Sequence, residues 1–198
     1  NMSPLPKTQD GIYTAGLPLM PYEAYVPGSP AAPFDPFNTP EQTGSKRITK
    51  ADFDLKSRSD HPAVLGACGL LPSEHALPAL YNKTKMGATL DWVMSNWNWD
   101  TTWGWDYGMI AMCAARLGRP NDALNALLID KGKNSYLISG HNFQTADRLR
   151  LYLPGNGALL IAVAMMCAGW DGCDNPHNPG FPQDGTWNVR WEGLNRMQ

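Results

Sequence analysis

The sequence predicts an all-α fold with long irregular loops, and three observations carry that prediction. Apolar residues recur at helical spacing in several runs between residues 60 and 169. Cap and stop residues (Asn, Asp, Pro, Gly) punctuate those runs at their ends. The connector Gly118-Arg119-Pro120 is so short that the runs on either side must be antiparallel neighbours, an αα-hairpin. At 198 residues, 43% hydrophobic and 17% charged, the chain is long and apolar enough for one domain with a core of its own.

The elements follow in order. Residues 1–58 read as an irregular segment, with prolines clustered from Pro18 to Pro40; so long a loop is expected to line a site or wrap a partner. Residues 59–198 hold the helices. Ser59 or Asp60 is placed to cap a first helix, with Pro62 in its opening turn and a stop before Pro72. A second spans 84–95, with Leu90, Val93, Met94 and Trp97 on one side. A third starts near Trp105 or Asp106 and stops at Gly118; a fourth restarts at Pro120 and runs to about Ile129. The fifth, from Asn156 as cap to Gly169, is apolar all round and is expected to be an inner helix. Beyond Gly169 the chain reads as an ordered covering segment or short strands.

Composition narrows the functional classes. Lys+Arg 16 against Asp+Glu 18, with no basic run, gives no footprint for nucleic acid. The longest apolar run, 158–169, is shorter than the roughly 20 residues that span a bilayer, so no membrane partner is expected. No stretch has the pattern of a signal peptide, and residues 1–6 read as a cut through a loop. Cys68, Cys113 and Cys167 sit in apolar runs and are expected to be buried free thiols, while Cys173 lies in a loop. No ligand cluster argues for a metal, and no nucleotide fingerprint argues for a cofactor.

The segment 96–107, NWNWDTTWGWDY, is the richest in chemistry. It holds Trp97, Trp99, Trp103 and Trp105, four of the eight tryptophans, around Asn98, Asp100 and Asp106. Indole faces stack on the C–H face of a pyranose, and carboxylates and amides take its hydroxyls, so a saccharide ligand fits this composition. A Trp-rich helix seam with polar turn residues fits it as well. Glycosidic cleavage needs two carboxyl groups. Candidates beside aromatic residues are Asp106, Asp100, Asp60, Glu23 and Glu192. Asp106, flanked by Trp103 and Trp105, is either a general acid whose pKa desolvation raises so that it keeps a proton to donate, or the cap of the next helix. Glu192, next but one to Arg190, reads as a surface ion pair. His61 and His141 sit in polar loops beside helix starts, suited to a sugar hydroxyl or a proton. Asn142, Gln144 and Asn156 are candidate hydroxyl readers, Asn156 equally a helix cap.

Several segments in order carry a family resemblance: Asp60-His61-Pro62 with VLGACGLLP, WNWDTTWGWDY with AARLGRPNDALNALL, SGHNFQ, YLPGNGALL, and the tail from AGWDG to VRWEGL. The series resembles the C-terminal half of bacterial glycoside hydrolases built as an (α/α)6 toroid, families 65 and 95, the latter including α-fucosidases. The resemblance implies a partial (α/α)6 toroid of helix hairpins and a sugar site at His61 to Pro72. It also implies a periplasmic or secreted bacterial protein. About five helices are expected where a closed toroid needs twelve, so either an N-terminal half or a second chain completes the ring or the ring does not close. The family's catalytic Asp stands in an Asp-Gly-Asn turn; here that turn reads Pro154-Gly155-Asn156. Its general-acid Glu falls near or before the start of this chain, with Glu23 the nearest counterpart. The expected function is therefore part of a glycoside hydrolase acting on an oligosaccharide or polysaccharide by carboxylate acid/base catalysis. The competing expectation is a non-catalytic carbohydrate-binding or structural protein that keeps the sugar groove. A lyase using His or Tyr as base is a third.

Overall fold

A computed structural model describes residues 58–197 apart from 77, 79–80, 146–148 and 176. Most of the expected irregular segment, including Glu23, lies outside the described residues. Among the described residues the protein is mostly α-helical with one small sheet. A tight turn at Ala63–Leu65 leads into α1 (Gly66–Gly69), followed by α2 (Ser73–Ala76), α3 (Lys83–Asn96), α4 (Gly104–Arg116), α5 (Pro120–Leu127) and α6 (Leu153–Ala168). Between α5 and α6 the strands β1 (Ser135–Tyr136) and β2 (Asn142–Phe143) pair antiparallel, a hairpin the sequence did not announce.

The core is organised around α4. Every residue of it from Asp106 to Arg116 is buried, and α1, α5 and α6 all pack on it. Glycine makes this possible where helices cross, because close approach leaves no room for a Cβ. At Gly69 a Cβ would sit 2.6 Å from the Met109 carbonyl oxygen, and at Gly108 one would sit 2.5 Å from that of Ala158. One glycine thus admits α1 and the other α6.

The remaining helices join this centre. In α3, Met86, Leu90, Val93 and the following Trp97 fall on one buried face at spacings of three and four. Asn82 caps it by accepting from the Lys85 amide at 2.9 Å. Gly118, at φ 77, ends the turn after α4, and Pro120 opens α5, as the punctuation predicts. The Arg119 guanidinium in that connector bridges Asp122 to Asp91 of α3.

Several expectations need correction. Neither Ser59 nor Asp60 caps the first helix, because Asp60 adopts a left-handed backbone at φ 67. That turn sends its carbonyl to the Trp97 indole N–H, 2.9 Å away, and its amide to Thr101 Oγ1 at 2.6 Å. The helix expected to start at Asn156 begins three residues earlier, at Leu153, with Pro154 in its first turn. Nor is it an inner helix along its whole length. Ala162 and Met165 to Ala168 are buried, but Leu153, Leu160 and Ile161 are exposed. The central place belongs to α4, on which α1, α5 and α6 all pack. Cys68, Cys113 and Cys167 are buried free thiols, as expected. The described residues of 169–197 form a covering segment without helix, tied by the bridge from Trp170 to Met197 and by the Gly180 amide donating to the Met166 carbonyl, and they bury Trp170 and Phe181. Glu192 and Arg190 form no ion pair among the described residues. No helix among the described residues is long and apolar enough to cross a membrane.

The packing of α4 makes two glycines behave oppositely. Gly108→Ala is expected to destabilise the fold by ~1–3 kcal/mol, because Ala158 backbone must move. Gly87→Ala, in α3 with nothing within 4 Å of the new methyl, is expected to stabilise by ~0.5–1 kcal/mol. Urea denaturation of both variants measures this, and two effects of the same sign would refute the contact at Gly108.

Candidate functional site

The site grows from the start of α4. Trp103 takes the N-cap position with extended backbone (φ −126, ψ 162), so its amide has no partner within the helix. Asp106, third residue of the helix, reaches back and accepts that N–H through Oδ2 at 2.7 Å. Asp106 is therefore not the N-cap that the sequence suggested: the helix begins two residues earlier, at Gly104, Trp103 is its N-cap, and Asp106 serves it from the third helical position. Its carboxylate is fully buried, and both oxygens lie 3.0 Å from His61 Nδ1.

Burial is the dominant influence on this carboxyl, pushing it from the ordinary 3.8 up to about 6. The Trp103 amide and His61 pull it down, and the Asp60 charge pushes it up slightly. An ionised Asp106 can only accept, so it takes the Nδ1–H of His61 and leaves Nε2 on the side away from it. Nε2 lies 3.4 Å from the exposed carboxylate of Asp60. One imidazole therefore stands between a buried carboxylate that orients it and an exposed one within reach of its other nitrogen. Such a group takes up or delivers a proton at Nε2.

Aromatic rings surround this couple. The Trp105 ring centroid is 4.5 Å from that of His61, and Trp103 stands 6.4 Å away, both half-buried. Tyr152, at the N-cap of α6, lies 5.5 Å from Trp103. Its phenol is pushed up first by burial and then by the Asp106 charge, so it remains a hydrogen-bond donor. The Lys133 ammonium lies 4.9 Å from the Trp103 ring centroid.

A second layer holds this one. Asn142 is fully buried: its Nδ2 donates to the carbonyls of Lys133 and Ser135, and its Oδ1 accepts from Gln144 at 2.6 Å. Gln144 Oε1 in turn accepts the free amide of Gly104 at the start of α4. Cβ atoms at Gly104 and Gly155 would lie 2.0 and 2.2 Å from Asn142 Oδ1, so this one amide wedges between the first turns of α4 and α6. Asn156 accepts the Asn142 amide at 2.9 Å and donates to the Gly140 carbonyl.

The sequence candidates accordingly divide. His61, Asp106, Trp103 and Trp105 come together, with Asp60 beside them. Trp97 is instead a core residue at 7% exposure, spent on the Asp60 carbonyl. Trp99 stacks on the buried Tyr107 and backs the core, and Asp100 is exposed near Lys131. His141 is exposed in the strand turn beside Ser139, outside the cluster. Asn142 and Gln144 are buried structural amides, and Asn156 is not the helix cap: it is half-buried, with its side chain bonded to the Asn142 amide and the Gly140 carbonyl. Sequence reasoning passed over Lys133 and Tyr152; the aromatic residue before Leu153-Pro154-Gly155 at a helix start was the one available signal. Among the described residues no three His, Cys, Asp or Glu side chains converge on a metal position. No family model matches the chain, and no curated protein or solved structure matches it.

The raised Asp106 carboxyl has a signed consequence. The folded state holds this proton up to about pH 6, whereas the unfolded chain releases it near 3.8. Stability from this group is therefore full below pH 4 and declines by ~3 kcal/mol as pH rises through 6. Asp106→Asn, which still accepts the Trp103 amide, is expected to remove that decline. Denaturation midpoints of both proteins between pH 4 and 7 measure it; parallel curves would sink the assignment.

Proposed function

We propose that this chain supplies the saccharide-binding and proton-transfer site of a glycoside hydrolase. In this reading its helices are part of an (α/α)6 toroid, completed by an N-terminal half or a second chain. The substrate is an oligosaccharide or polysaccharide, met outside the bacterial cytoplasm. The observation that supports the reading is His61 held at Nδ1 by a buried carboxylate and flanked by Trp103 and Trp105. A buried, perturbed carboxyl beside an oriented imidazole is costly for stability and useful for proton transfer. The indoles supply the stacking surface that a pyranose needs.

The roles differ from those expected of the residues singly. Asp106 is a positioning residue, because its oxygens are taken by His61 and the helix cap. His61 Nε2 and the Asp60 carboxylate are the groups open to a substrate. In hydrolysis one of them protonates the departing glycosidic oxygen, and a carboxylate supplied from elsewhere activates the attacking water or attacks the anomeric carbon. Glu23 remains the candidate within this chain for that second carboxylate.

A non-catalytic carbohydrate-binding protein is the competing reading. It is favoured by one observation: Asp106 is the single buried carboxylate among the described residues, and it is already engaged.

Two measurements on a panel of oligosaccharides separate these readings: tryptophan fluorescence for binding, and reducing-end release for turnover. The hydrolase reading expects turnover that His61→Ala lowers by about 10²–10⁴-fold in kcat, with KM little changed. Trp105→Ala is expected to raise KM instead. Binding without turnover in the native protein would establish the binding reading, and no binding to any saccharide would refute both.

A further inference from the structure

Lys133 has a fixed backbone position, and its ammonium lies over the Trp103 ring with no carboxylate partner among the described residues. Its backbone is pinned from the interior: the carbonyl accepts from both buried amides, Asn142 at 3.3 Å and Gln144 at 2.7 Å. The turn that carries it, Gly132–Asn134, is held to the end of α5 by Asn134, whose Nδ2 donates to the carbonyls of Leu127 and Ile129. The half-buried side chain is laid against Trp103, with the ammonium 4.9 Å from the ring centroid. Nearby carboxylates are committed elsewhere: Asp106 and Asp60 both engage His61, and Asp100 faces Lys131. Among the described residues Lys133 pairs with no carboxylate.

An ammonium anchored beside a sugar-stacking indole, with no carboxylate partner among the described residues, suits a negative charge carried by the ligand. One ammonium, a single positive point charge, suits a singly charged carboxylate. A doubly charged phosphate is commonly met by several donors or by the guanidinium fork of Arg. We propose that the saccharide recognised at this site is acidic, a uronic-acid-containing oligosaccharide whose carboxylate pairs with Lys133. This rests on the saccharide reading of the site and names its substrate class.

The test compares uronate oligosaccharides with their neutral methyl esters, together with neutral and sulfated oligosaccharides, by tryptophan fluorescence titration of the whole chain. The native protein is expected to bind a uronate at least tenfold more tightly than its ester, with the preference shrinking as salt rises. Lys133→Met keeps the aliphatic stem over the indole and should abolish the preference; Lys133→Arg should retain most of it. Circular dichroism of both variants guards against misfolding, and the esters serve as an internal control for an intact stacking surface. Equal binding of acid and ester, or a preference that survives Lys133→Met, would overturn the proposal and leave the saccharide reading standing. A preference for sulfated over carboxylated sugars would overturn the uronate assignment. Failure of every saccharide to bind would overturn the saccharide reading, and this inference with it.

Discussion

The burial of one carboxylate at the third position of α4 is the constraint on which the site depends. Asp106 closes the open end of the central helix and fixes the ring of His61 from 45 residues away. Both tasks use the same two oxygens. The carboxylate has left water, so its charge is tolerated only because the Trp103 amide and the imidazole replace the lost solvation. A residue that only capped the helix could do so from the surface at no such cost. The long-range contact with His61 explains why it does not.

A second constraint has the same character. Asn142 and Gln144 form a buried amide pair between the starts of two helices, and glycines at 104 and 155 clear the space for it. The same pair holds the Lys133 carbonyl, so the position of a surface charge is decided by hydrogen bonds in the interior. Two helix N-termini, the short strand hairpin and the Lys133 turn are therefore one mechanical unit. Trp103 and Tyr152, each at an N-cap, face one another across it.

Left-handed backbone at Asp60 completes the arrangement. Its carbonyl and amide are tied to Trp97, which precedes the turn Trp99–Thr101, and to Thr101, which ends it. The next residue is His61, so the bend that commits Trp97 to the core also presents the imidazole to Asp106. Trp97 thus acts on the site through the backbone, even though it offers no ring face to a ligand.

Helix existence was legible from periodicity and punctuation: Pro120 and Gly118 act locally, within one turn of the residues they affect. The cluster of tryptophans and acids was legible as a region of chemistry for the same reason, since its members are neighbours in the chain. Which tryptophan faces out was not, because Trp97 and Trp103 differ only in what packs against them from distant segments. Hydropathy likewise marked both α4 and α6 as apolar without saying which is enclosed. Gly69 and Gly108 decided that by allowing two helices to close on α4. The amides at 142 and 144 looked like ligand readers because polarity alone does not reveal burial. The sequence by itself determined the helices, their ends and the chemical inventory. Only the tertiary structure decided which groups are spent on one another and which remain free, because that depends on contacts made across 40 residues and more.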